Sequence, residues 1–168
     1  MTAKNYKDPS SEDVRTTVNR KSDRELIVTR TFNAPARIVF QAWSSPELFQ
    51  RWWIPKATGM TIVACEMDVR TGGSYRLEIT PPGSDQPVAF FGNYLEVVPD
   101  ARIVWTNEEE GGGAVTTVTF EEKNGKTQLT LTEHYPTSQA LEDAVAGSAA
   151  ALPEQFGQLD ELLVTLAP

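Results

Sequence analysis

Residues 141–166, LEDAVAGSAAALPEQFGQLDELLVTL, decide the architecture of this chain. Leu141, Val145, Ser148, Leu152, Phe156, Leu159, Leu163 and Leu166 recur three or four residues apart, which on a helix gathers them into one apolar stripe. A stripe of that length needs a sheet to cover it. Pro153 falls inside the stripe and removes a helical hydrogen bond, so the helix either kinks there or begins close to it, with Gly147 marking the break.

Upstream, the chain supplies that sheet. Segments 60–68, 74–80, 88–98, 102–107, 115–122 and 127–135 read as strands bounded by Gly, Pro or Asp. Asn124-Gly125 between the last two is a strong two-residue hairpin signal, so consecutive strands are expected to pair antiparallel. An earlier strand begins at Glu25, with Leu26, Val28, Arg30 and Phe32 alternating against Ile27, Thr29 and Thr31, and stops at Asn33-Ala34-Pro35. Pro35 suits a first helical turn; Ile38, Val39, Ala42 and Trp43 follow at helical spacing, and Ser44-Ser45-Pro46 restarts a second short helix with Leu48 and Phe49. The resulting order, β-α-α followed by six strands and a long helix, predicts an α+β fold in which a bent antiparallel sheet closes over the C-terminal helix.

Residues 1–23 carry few bulky apolar side chains and are read as a disordered tail, leaving 24–168 as one domain. The acidic, glycine-rich stretch at 108–113 reads as a flexible hairpin loop.

Composition narrows the function. The 168 residues hold 15 Lys+Arg against 23 Asp+Glu, and a net charge of −8 argues against nucleic-acid binding, whose affinity comes largely from neutralising phosphates. The N-terminus lacks the apolar core of a secretory signal, no apolar run approaches the roughly 18 residues of a membrane span, and the single cysteine, Cys65, forms no intramolecular disulfide. A cytoplasmic location with no membrane partner is expected.

Several motifs carry a resemblance. Phe32-Asn33-Ala34-Pro35 with Val39-Phe40-Gln41-Ala42-Trp43, Pro46-Glu47-Leu48 and Arg51-Trp52-Trp53 lead; Gly72-Gly73-Ser74-Tyr75-Arg76, the run from Gly92 to Pro99, Arg102-Ile103-Val104 and Leu129-Thr130-Leu131-Thr132 follow. Together they resemble the polyketide cyclase-like, lipid-transfer (START)-like superfamily, and within it the branch related to the C-terminal domain of the activator of Hsp90 ATPase. The resemblance implies a helix-grip fold with a ligand cavity. Three departures bear on the size and polarity of that cavity: Ile54 where Gly commonly follows the paired tryptophans, Leu152 where Trp is frequent, and Glu133-His134 where His-Glu is common.

Within that frame the chemistry is sparse. Any Ser-His-Asp or Cys-His arrangement must use His134, the one histidine, and no G-x-S-x-G surrounds a serine. Cys65 and His134 lack zinc-ligand spacing, and neither Gly72-Gly73 nor the glycines at 111–113 open a helix after a strand. No metal and no cofactor are expected. Alternation along 127–135 sets Glu133 on the face of Leu129 and Leu131, which points it into the cavity; an end-of-strand glutamate in solvent is the competing reading. Trp53, Tyr75, Leu77, Phe91, Ile103, Trp105, Leu152 and Phe156 are the expected cavity wall, against the alternative that these rings simply pack a core. Trp52 and Trp53 are adjacent, so on a helix they point about 100° apart, one packing inward and the other gating the mouth.

Three functions remain in competition. The leading one is binding of a small hydrophobic or aromatic molecule. The others are a cyclase or aromatase-type enzyme in which Glu133 or Tyr75 moves a proton, and an Hsp90-type chaperone partner, for which no exposed apolar patch is legible. A homodimer through a sheet edge or the Trp52-Trp53 region is expected by analogy alone.

Overall fold

Period-two alternation in Glu25–Phe32 gives the first long strand, whose Leu26, Val28, Arg30 and Phe32 are all buried on one face. The computed structural model describes residues 16–109 and 112–166. Among these, the elements are β1 (Thr17–Arg20), β2 (Glu25–Phe32), α1 (Ala36–Ser44), α2 (Pro46–Phe49), β3 (Thr61–Met67), β4 (Ser74–Thr80), β5 (Val88–Val98), β6 (Arg102–Asn107), β7 (Ala114–Lys123), β8 (Lys126–His134), α3 (Ser138–Ala146) and α4 (Leu152–Leu166), with 3-10 turns at Lys56–Thr58 and Ser148–Ala151.

The strands form one antiparallel sheet in the order β1-β2-β8-β7-β6-β5-β4-β3. Every neighbour is consecutive in sequence except β2 and β8, which pair from Glu25↔His134 to Phe32↔Thr127 and so bring the first long strand beside the last. Asn124 and Gly125 both take positive φ, 56° and 78°, the conformation a two-residue hairpin needs to match the strand twist. The sheet bends at two irregularities, Ile62/Ala64 in β3 and Tyr94/Glu96 in β5, where an extra residue tightens the local twist. Gly92 permits a further close approach: a Cβ there would lie 1.9 Å from the Thr106 carbonyl oxygen.

The curved sheet wraps α4, giving the helix-grip α+β fold. From α4, Leu152, Phe156, Leu159, Leu162 and Leu163 are buried. Pro153 stands in the first turn of α4, where the missing N–H leaves no bond unmade, and Gly147 ends α3, so the stripe is two helices joined by a 3-10 turn rather than one kinked helix. Arg30 reaches from β2 to α4, where its buried guanidinium pairs with Asp160, donates to Thr16 Oγ at 2.7 Å and lies 5.5 Å from the Phe32 ring centre.

One expectation is corrected here. Thr17–Arg20, placed within the disordered tail over 1–23, pairs with β2 as an edge strand from Thr17↔Thr29 to Arg20↔Leu26; residues 1–15 of that tail lie outside the described residues. Its four side chains are all exposed, so hydrogen bonding to β2, not its own apolar pattern, makes it a strand.

Candidate functional site: the cavity between sheet and helix

Around Phe156 the space between the sheet and α4 is filled by buried aromatic rings. There Phe156 meets Phe32 edge-on at 5.6 Å and Trp52 at 6.5 Å, and all three rings are fully buried. At the other end a cavity of about 510 Å³ remains between β3–β6, β8, the 50s loop and the start of α4. Its wall is mostly apolar and aromatic, with Trp43, Trp53, Tyr75, Tyr94, Ile103 and Trp105 among its members.

Of the expected wall residues, Trp53, Tyr75, Leu77, Ile103, Trp105, Glu133 and Leu152 line this cavity. Two do not. Phe91 lies on the outer face of β5, 37% exposed, with the Arg76 guanidinium 5.8 Å from its ring centre, while its neighbour Phe90 faces the cavity. The ladder dictates the exchange: Leu77 pairs with Phe90 and Tyr75 with Gly92, so residues of even number from 88 to 94 share the inner face. Phe156 faces inward but sits one turn deeper than Leu152, in the closed end of the grip rather than in the wall.

Trp43 was legible only as part of the α1 stripe. In the structure its ring centre lies 4.8 Å from Trp52, 6.1 Å from Trp53 and 5.9 Å from Trp105, so it joins the buried core to the cavity wall. Trp52 is buried and donates its indole N–H to the Ala42 carbonyl at 3.0 Å, whereas Trp53 stacks on Phe49 at 4.7 Å and stands half-buried at the cavity. The loop that presents Trp53 is stapled to α4. Gln158 donates to the Trp52 and Ile54 carbonyls at 3.0 and 2.8 Å and accepts from the Lys56 N–H at 2.8 Å; Gln155 donates to the Trp53 carbonyl.

One chain of polar groups leads to Glu133. Asn107 donates its side-chain amide to Thr116 Oγ at 3.0 Å; Thr116 is thereby oriented to donate to Glu133 Oε2 at 3.3 Å, and the Tyr135 hydroxyl donates to Oε1. The Tyr75 hydroxyl donates to the Thr106 carbonyl at 2.8 Å. Glu133 is enclosed by protein on nearly every side yet keeps accessible surface, because it opens onto the cavity. Burial pushes its carboxyl above the usual carboxylate range, while the hydroxyls of Tyr135 and Thr116 pull the other way. Burial also raises the phenols of Tyr75, Tyr94 and Tyr135, so all three stay protonated near neutral pH. Glu109 is the other carboxyl group among the described lining residues and accepts from the Phe91 N–H at 3.2 Å; no Lys, Arg or His is among those described lining residues. No three His, Cys, Asp or Glu side chains cluster as a metal site among the described residues, and none of their helices is long and apolar enough to cross a membrane.

The same architecture recurs in solved structures. A protein from Rhodobacter sphaeroides superposes with a TM-score of 0.79 at 26% identity, over 90% of this chain and 99% of its own. One from Staphylococcus epidermidis gives 0.75 at 28% identity, over 90% and 96%, and one from Chromobacterium violaceum 0.69 at 28%, over 82% and 96%. No curated protein matches the chain. The family model for activator of Hsp90 ATPase homolog 1-like proteins matches residues 33–164, which spans both early helices, all strands from β3 onward and nearly all of α4. This chain belongs to that family.

Proposed function

We propose that this protein binds a small, largely apolar or aromatic molecule in the cavity between the sheet and α4. The observation that carries the reading is the cavity itself: about 510 Å³, walled by aromatic and aliphatic side chains with a few polar groups, the usual form of a small-molecule site. Burying about 300 Å² of apolar ligand surface would contribute roughly 7 kcal/mol before the costs of association, enough after those costs for micromolar affinity.

The test is a titration with flavonoids, polyketide-like aromatics and fatty acids, following tryptophan fluorescence and thermal midpoint, since Trp43, Trp53 and Trp105 all border the cavity. The same titration of Leu152→Trp fills the wall with the bulkier side chain. Saturable quenching with a raised midpoint in the parent chain, lost in the filled variant, is the expected result; no response to any compound overturns the reading.

A second reading rests on the hydrogen bond from Tyr135 to the cavity-lining Glu133, a carboxyl and a phenol in contact, which suits proton transfer in a cyclase or aromatase-type reaction. Turnover of a bound polyketide-like compound, abolished in Glu133→Gln, would favour it over simple binding. An Hsp90-type partner is the third, supported by the family's name and tested by stimulation of a chaperone ATPase. A cytoplasmic location and a homodimer complete the proposal; sedimentation of the purified chain tests the latter.

A further inference from the structure

We propose that the ligand is a lipophilic amine, an organic cation whose ammonium group meets the Glu133 carboxyl while its apolar body lies against the indoles of the wall. The inference rests on the reading above that the cavity takes a small molecule, and it names the class.

Three observations point the same way. The direction of the hydrogen bonds comes first. Asn107 donates to Thr116, and Thr116 and Tyr135 each donate to a different oxygen of Glu133. Two donors leave the ionised carboxylate about two of its roughly four acceptor sites, so a ligand group that meets Glu133 in that form must itself donate. The charge of the wall comes second. Glu133 and Glu109 are the carboxyl groups, and no Lys, Arg or His stands, among its described lining residues, so an anionic ligand would find no basic partner there. The aromatic content comes third. Trp43, Trp53 and Trp105 all border the cavity, and indole is the side chain with the strongest attraction for a cation. Trp105, Thr116 and Glu133 stand on one cross-strand row, two strand spacings or about 10 Å from end to end. A molecule with an ammonium at Glu133 and a ring system at Trp105 therefore spans that row.

The burial of Glu133 fits this role. Empty, the carboxyl tends toward its neutral form; with an amine bound, the ammonium–carboxylate pair forms whether the proton arrives on the amine or passes to it from Glu133. The chain's net charge of −8 raises the local concentration of cations in the same direction.

Three probes with one body separate the possibilities: 9-(aminomethyl)anthracene, 9-anthracenemethanol and anthracene-9-carboxylate, each titrated into the full chain at neutral pH and low salt by calorimetry. The amine is expected to bind at least tenfold more tightly than the alcohol, with no saturable binding of the carboxylate. In Glu133→Gln the amine's advantage should fall to within about twofold of the alcohol. An alcohol that binds as tightly as the amine in the parent chain overturns the inference and leaves the cavity reading standing, an outcome that needs no variant to fold. An advantage that persists in Glu133→Gln also overturns it. If none of the three binds, the inference fails, while the cavity reading is decided separately by the flavonoid, polyketide-like and fatty-acid titration.

Discussion

Gln158 on α4 holds the main chain of Trp52 from below, donating to its carbonyl at 3.0 Å while also bonding Ile54 and Lys56, so one side chain satisfies three backbone groups of the loop that carries Trp53. Replacing it with leucine leaves two carbonyls and one N–H to find water. Because the loop is only partly buried, the loss should be about 2 kcal/mol rather than the sum of three unsatisfied groups. Gln158→Glu keeps the acceptor for Lys56 but sets a carboxylate against two carbonyl oxygens, so it should cost at least as much. Urea unfolding of both variants checks this, and acrylamide quenching should show Trp53 more accessible in each. Parent-like midpoints and quenching would remove Gln158 as the anchor of the cavity mouth.

Gly92 permits a close approach of β5 to Thr106 on β6. An added methyl would meet the Thr106 carbonyl, which is also the acceptor of the Tyr75 hydroxyl. Gly92→Ala must therefore displace backbone and a cavity-wall hydrogen bond together, at about 3 kcal/mol, the upper part of the range for overpacking. Gly83→Ala has open space around its Cβ but a φ of 77°, so it reports backbone strain without the clash and should cost only about 1 kcal/mol. Comparing the two by chemical denaturation isolates the close approach.

The ladder of long strands was legible because each is half-buried and alternates, and because Asn124-Gly125 announces its turn; the expected span 115–122 differs from β7 by one residue at each end. What escaped was whatever depends on register. Phe90 and Phe91 are adjacent and equally apolar, so only their pairing with Leu77 and Arg76 decides which faces the cavity. The relay from Asn107 through Thr116 to Glu133 joins three strands, and no single segment carries a trace of it. Depth along α4 was equally hidden: Leu152 and Phe156 share the stripe, but how far the sheet closes over each is a property of the whole curve. β1 has no apolar pattern to read at all, since its side chains are exposed and its partner supplies the order.

The buried pair of Arg30 and Asp160 ties β2 to α4, and removing the Asp160 charge leaves the buried Arg30 guanidinium without its carboxylate. Asp160→Asn should destabilise by about 3 kcal/mol, the low end for breaking a buried pair, because the Asp160 side chain keeps 21% of its surface exposed. The Arg30 Nε has no hydrogen-bond partner among the described residues, so the guanidinium is incompletely satisfied even in the intact pair. The double variant Arg30→Met, Asp160→Leu should accordingly recover most of the loss. Thermal or urea unfolding of the three proteins decides it: a double variant less stable than Asp160→Asn would mean that the pair contributes net stability beyond its own desolvation.

Glu133 makes stability depend on pH with a definite sign. Burial raises its folded carboxyl above the unfolded value, so between those two values the native chain holds more protons than the unfolded one. Stability attributable to this group is therefore fully present below the unfolded glutamate range, and falls as pH rises through the raised folded value. Tyr135 and Thr116 donate to the carboxyl and reduce the shift, and Glu109 is the other carboxyl group among the described lining residues. Glu133→Gln keeps the shape and cannot ionise, so subtracting its urea-unfolding profile from the parent's cancels every other titration. The difference, parent minus variant, should decline from the ordinary carboxylate range upward and level off once the folded carboxyl has ionised. A difference that instead rises with pH would mean that the two hydroxyls outweigh burial and that Glu133 is already a stable carboxylate in the empty cavity. A saturating amine should flatten the decline, because pairing with ammonium favours the ionised form and draws the folded value back down.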